Sequence, residues 1–170
     1  MAESTFSVGI VVERRPLRSI WADHAWVPVA ALPAPAAAEA WTLLSEEDGI
    51  ARFYAGAADI ALHHTETAHY RDNLLSGAPA LWVVLQASEA APGVALFAVT
   101  ADPTEGEGYT ETGAEIVDPV PMPAAVQARV AAFVAEHHVE RAFFKRKRDT
   151  ADPEALALRP ARGRPPGTGR

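Results

Sequence analysis

Five of the six histidines fall into two groups, His63-His64 with His69, and His137-His138. Imidazole is a common ligand for zinc and similar ions, so these groups are the first place to look for a metal. Adjacent residues of a strand point to opposite faces, so His63 and His64 do not readily share one ion. No HExxH, no cysteine and no tight Asp/His cluster accompanies them. They read as surface or structural histidines, and the expectation is that no residue ligates a metal. Nucleophilic chemistry finds as little support. The serines at 4, 7, 19, 45, 76 and 88 lie in no GxSxG elbow. Glu46-Glu47-Asp48 reads as a solvated turn rather than an acid/base pair. Gly106-Glu107-Gly108 lacks the third glycine of a dinucleotide loop, and there is no Walker A sequence. No catalytic residue and no cofactor is therefore expected.

Binding chemistry is better represented. Phe143-Phe144-Lys145-Arg146-Lys147-Arg148 sets two apolar anchors beside four consecutive cations. Such a segment suits phosphate, nucleic acid, an anionic membrane surface or an acidic protein; the bland reading is a solvated end to the domain. Of the four tryptophans, Trp82 reads as core. Trp21, in a polar loop beside Asp23 and His24, is the best candidate for an exposed contact. Trp21, Trp26 and residues Phe143 to Arg148 form the candidate partner-binding set.

These residues need elements to hold them. Phe6 to Glu13 reads as a first strand ended by Arg14-Arg15-Pro16, and Trp26 to Leu32 as a second. Pro28 inside that strand places it at a sheet edge or a bulge. Pro33 to Ala40 is an Ala/Pro linker. Trp41 to Ser45 and Ile50 to Ala55 form a hairpin around Glu46 to Gly49. Gly56 and Asp59 mark a further turn before Ile60 to Leu62.

The stretch His63 to Leu85 reads as strand end, short helix, glycine stop and buried strand. Thr65 or Thr67 is expected to cap the helix. Ala68, Leu74 and Leu75 are expected to face the core, and His69, Arg71 and Asp72 to face water. Gly77 ends the helix, and the apolar run Leu81 to Leu85 fits a strand covered on both faces. Val94 to Thr100 should pair with it. Asp102-Pro103-Thr104-Glu105 has the form of a capping box opening a second helix, which Gly106 and Gly108 weaken and Gly113 ends. Pro119, Pro121 and Pro123 mark an extended connector. Val126, Val130, Phe133, Val134 and His137 give the last helix an apolar face. Consecutive strands without intervening helices favour antiparallel pairing. The expected class is α+β: a mostly antiparallel sheet, two or three helices and a disordered basic C-terminal tail, with one domain over residues 6–144 and the tail over 145–170.

Composition agrees. The 170 residues suit one domain plus a tail, and 36 are alanine, so the core is modest. Absence of cysteine excludes disulfides, thiolate metal sites and a cysteine nucleophile. No run is long enough to span a bilayer, and the first residues lack a basic signal region, so the cytoplasm is the expected location. Residues 1–144 carry 7 Lys+Arg and 19 Asp+Glu, net −12, whereas residues 145–170 carry 8 and 3, net +5. That acidic body argues against nucleic acid as a partner.

Several phrases together resemble a bacterial family catalogued as domain of unknown function 3305. They are Gly9 to Pro16 (GIVVERRP), Trp21 to Leu32 (WADHAWVPVAAL), Glu66 to Leu74 (ETAHYRDNL), Pro121-Met122-Pro123, and His137-His138 with Phe144 to Asp149. The resemblance spans about residues 7–149. It implies an association with molybdenum-dependent formate dehydrogenase, beside whose components members tend to be encoded. Some members carry the label molybdopterin-guanine dinucleotide biosynthesis protein A, a nucleotidyltransferase with an N-terminal glycine-rich loop. Here Val8 to Val12 is followed by Glu13-Arg14-Arg15-Pro16, without the glycines and lysine that cradle a phosphate. The leading expectation is a non-catalytic accessory protein in assembly, maturation or regulation of formate dehydrogenase, binding one of its subunits or maturation factors. The alternative is a handler of the molybdenum cofactor that uses Arg14, Arg15 and the basic segment for phosphates.

Overall fold

The computed structural model describes residues 4–112 and 116–138. Met1–His138 form one compact unit; the expected boundary at 144/145, the tail and the stop at Gly113 lie outside the described residues. The fold is α+β, with two antiparallel sheets and three helices among the described residues. β1 (Ser4–Pro16), β2 (His24–Leu32), β3 (Thr42–Glu47) and β4 (Ile50–Leu62) form the first sheet in the order β2-β1-β4-β3. β5 (Ala80–Ala87), β6 (Val94–Thr100) and β7 (Ile116–Pro121) form the second in the order β6-β5-β7. β4 lies beside β6 and β2 beside β7, so the sheets share one core.

Alternation builds that core. Phe6, Val8, Ile10 and Val12 of β1 meet Leu81, Val83 and Leu85 of β5. The run Leu81 to Leu85 is covered on both faces as expected: Leu81, Val83 and Leu85 face the core shared with the first sheet, and Trp82 and Val84 face the opposite side, where Trp82 lies against the second helix and Val84 is buried. Pro28 is tolerated where expected: β2 is an edge strand and its register with β1 shifts at Val11/Val12, opposite Pro28. The β3–β4 turn is the expected hairpin, with Asp48 at φ 52 and Gly49 at φ 80, the left-handed pair a two-residue turn needs.

Three local expectations are corrected. β1 does not stop at Glu13; Arg14, Arg15 and Pro16 still pair with β2. Gly56 and Asp59 make no turn, because β4 runs unbroken through both; Gly56, at φ 120, lies where the register against β1 shifts by one residue. Pro119 and Pro121 belong to β7 rather than to a connector, and an edge strand can carry prolines without losing ladder bonds.

The helices close one end. A single 3-10 turn, His64–Glu66, leads into α1 (Thr67–Leu74). The expected threonine cap is absent, and the buried face is Thr67, Tyr70 and Asn73. Ala68 and Leu75 are exposed, while Leu74 packs on the core as expected. The helix is only eight residues long, so polar anchors rather than leucines orient it. α2 (Pro103–Glu111) covers the outer face of β5. A Cβ on Gly106 would sit 2.4 Å from the Trp82 ring, so glycine there permits the close helix–sheet approach. α3 (Ala124–His137) buries Val126, Val130 and Phe133, and Tyr70 meets Phe133 edge-on at 6.2 Å. No helix among the described residues is long and apolar enough to cross a membrane.

Candidate functional site: a polar helix junction and an apolar loop

Two places gather chemistry, at opposite ends of the molecule's logic. The first is the junction of α1 with the start of α2. Asp102 caps α2, its Oδ1 accepting from the Thr104 and Glu105 amides at 2.9 and 3.4 Å. The other half of the expected capping box does not close. Glu105 instead accepts from the Thr100 hydroxyl at 2.9 Å, and that hydroxyl accepts from the Asp102 amide. His69 reaches across from α1, with Nδ1 3.0 Å from Glu66 Oε2 and 3.1 Å from both Asp102 oxygens. Its hydrogen bond to Asp102 holds the imidazole pKa above the usual histidine range, against an opposing desolvation effect.

Glu66, His69 and Asp102 therefore offer three donor atoms within 4.8 Å of one another and could hold a divalent cation. The same distances are those of one imidazole N–H shared between two carboxylates, a bond that ties α1 to α2 without a metal. The sequence placed His69 in water because Asp102 lies 33 residues away; only the fold brings them together.

The neighbouring residues of the ETAHYRDNL phrase are equally committed. Tyr70 Oη accepts from the His63 amide at 3.1 Å, and burial pushes its pKa up to about 12. Asn73 donates to the Ala80 and Ala101 carbonyls and accepts from the Ala80 amide, fastening α1 to β5 and to the end of β6. Arg71 lies 3.4 Å from His138.

The second place is the far end of the four-stranded sheet. The loop between β1 and β2 carries Ile20 and Trp21 almost wholly in solvent, 91% and 88% exposed, with Leu17 at 44% beside them. Trp21 is thus where the sequence reading put it. Trp26 is half-buried and forms an aromatic cluster, 5.5 Å from Trp41 and 5.8 Å from Phe53, with the Arg14 guanidinium 5.3 Å over Phe53. On the edge strand β3, Leu43 and Leu44 are about half exposed.

Between β2 and β7 runs an open groove of about 510 Å³, lined by His24 and Trp26 on one side and Ile116, Val117 and Asp118 on the other. On the outer sheet face, Glu13 is buried and bridged to Arg52 at 2.7 Å and Arg15 at 2.8 Å. The Arg52 bond, with help from Arg15, holds its carboxyl below the usual range despite desolvation. Phe143 to Arg148 lie outside the described residues.

No curated protein and no solved structure matches the chain. The model of a family of proteins of unknown function, DUF3305, matches residues 7–148. Those residues take in both the polar junction and the apolar loop, and the chain belongs to that family.

Proposed function

We propose that the domain is a non-catalytic accessory protein that binds a partner protein with the loop between β1 and β2. The observation that carries this reading is the exposure of Ile20 and Trp21. Two adjacent large apolar side chains held almost entirely in water lose solvent contact when a partner covers them, and tryptophan is the residue most often found to dominate such contacts. By contrast, the polar groups of the helix junction are engaged within the fold: His69 with Glu66 and Asp102, and Asn73 with three backbone groups.

The partner we assign is a subunit or maturation factor of a molybdenum-dependent formate dehydrogenase, acting in the cytoplasm. That assignment rests on the association implied by the family resemblance. A cofactor-handling role would draw on Arg14 and Arg15, and here Arg15 shares the Glu13 carboxylate with Arg52 while Arg14 stacks on Phe53.

The test is affinity capture by the tagged protein in its own host, grown with formate and molybdate and washed at low and high salt. Formate dehydrogenase components retained by the parent and lost on Ile20→Ser/Trp21→Ser are the expected result. A bound pterin or nucleotide without any protein would replace this reading with the cofactor-handling one.

A further inference from the structure

The groove between β2 and β7 contains a carboxylate, Asp118, that has no partner among the described residues. Asp118 stands opposite Val83 in the β5–β7 ladder, and Val83 is in the core. Directly opposed residues share a face, so Asp118 lies on the inward face of β7, in line with Ile116 and Val120. Its carboxylate has no hydrogen-bond or ion-pair partner among the described residues, and desolvation alone raises its pKa. Among the described residues no buried side-chain oxygen or nitrogen lacks a partner, so the Asp118 oxygens open to the groove rather than being sealed in the core. A half-buried carboxylate gains from a counter-charge, and no cation among the described residues bonds to this one.

We propose that this groove seats a cationic side chain, arginine or lysine, of the partner protein, with Asp118 as its counter-ion and the Trp26 ring as its aromatic face. This deepens the partner-binding reading and rests on it. The chemistry is complementary in three respects. Residues 1–144 are strongly acidic, net −12, which favours a basic partner surface. Indole is the best side-chain face for a cation, and the cluster that holds Trp26 already accepts one internally, Arg14 over Phe53. β2 begins at His24, directly after the loop that carries Ile20 and Trp21, so a partner covering the loop also reaches the mouth of the groove. An arginine beside apolar anchors is a common core for a protein contact.

The test is a titration of the full-length, 15N-labelled chain with acetyl-arginine amide, using acetyl-norleucine amide as the neutral probe of similar length. Saturable shifts centred on Ala25, Trp26, Val117 and Asp118 are expected, with a dissociation constant on the order of 1 mM from one charged bond and one cation–π contact. Asp118→Asn keeps the side-chain shape and should fold as the parent does. It should weaken arginine binding by about tenfold or more. Equal affinity in Asp118→Asn, or equal shifts with the neutral amide, would overturn the cation seat. Trp21-dependent partner capture combined with no arginine response removes the seat and leaves the partner reading. An Asp118-dependent response combined with Trp21-independent capture keeps a cation site at Asp118 but overturns its assignment to a partner that covers the Trp21 loop.

Discussion

The two ends of this domain treat their side chains differently. At the helix end, every polar group of α1 that faces inward has a partner: Tyr70 takes the His63 amide, Asn73 takes three backbone groups, and His69 takes Glu66 and Asp102. At the sheet end, Ile20 and Trp21 stand in water and Asp118 has no partner among the described residues. A side chain already bonded within the fold has little left to offer a ligand; one that is exposed and apolar, or charged and unanswered, has its free energy still to gain. The difference separates residues that hold the domain together from those available for recognition. It predicts that substitutions of side chains bonded within the fold change stability, and that substitutions of the exposed or unanswered ones change binding.

The largest stability effect is expected at Asn73. Asn73→Ala removes three hydrogen bonds and leaves the part-buried backbone groups of Ala80 and the buried Ala101 carbonyl unanswered, for a loss of about 3 kcal/mol by denaturant unfolding. Gly106→Ala comes next. Its Cβ would meet the Trp82 ring at 2.4 Å, and forcing α2 away from β5 should cost about 1–3 kcal/mol, seen as a lower melting temperature with protein binding retained after refolding.

Glu13→Gln should cost about 1–2 kcal/mol, since it weakens two charge-assisted bonds to half-exposed arginines. Because the Glu13 pKa is lowered on folding, its contribution is present above the unfolded carboxylate value of 4.5 and fades as pH falls through the folded value. The variant should therefore lose less stability than the parent on acidification.

His69 has the opposite sign. Its pKa is raised on folding, so the His69–Asp102 contribution is complete below the unfolded value of 6.5 and declines as pH rises through the folded one. The side chain is 40% exposed, so solvent screening keeps the effect below about 1 kcal/mol. Unfolding curves across neutral pH should converge for parent and His69→Gln at the alkaline end.

The sequence made the strands legible because alternation and turn chemistry are local. Val8-Gly-Ile-Val-Val, the Asp48-Gly49 turn and Pro28 each announce their place without reference to distant residues. β7 was misread because Pro119 and Pro121 deny ladder bonds that its outer edge does not make. The buried face of α1 was misread because Tyr70 packs on Phe133, Asn73 bonds to Ala80 and Ala101, and Thr67 meets His138, contacts that only the fold supplies, while Ala68 and Leu75 are left in solvent. The same blindness hid the cluster of Glu66, His69 and Asp102, because Asp102 caps a different helix from the one that carries His69. Asp118 gave no signal in the sequence, as a lone acid between valine and proline; only the register with Val83 turns it inward. Trp21 was legible because its polar neighbours offer no core to enter.

Trp21→Ser tests the central claim most directly. Its effect on stability should be the smallest of the series, within about 0.5 kcal/mol, because the ring is 88% exposed. Its effect on binding should be the greatest. The decisive measurement is quantitative capture of formate dehydrogenase components by the parent and by this variant, with both melting curves recorded. An unchanged melting temperature with capture lost is the expected result. Capture undiminished in a folded Trp21→Ser protein would contradict the assignment of the open end to recognition.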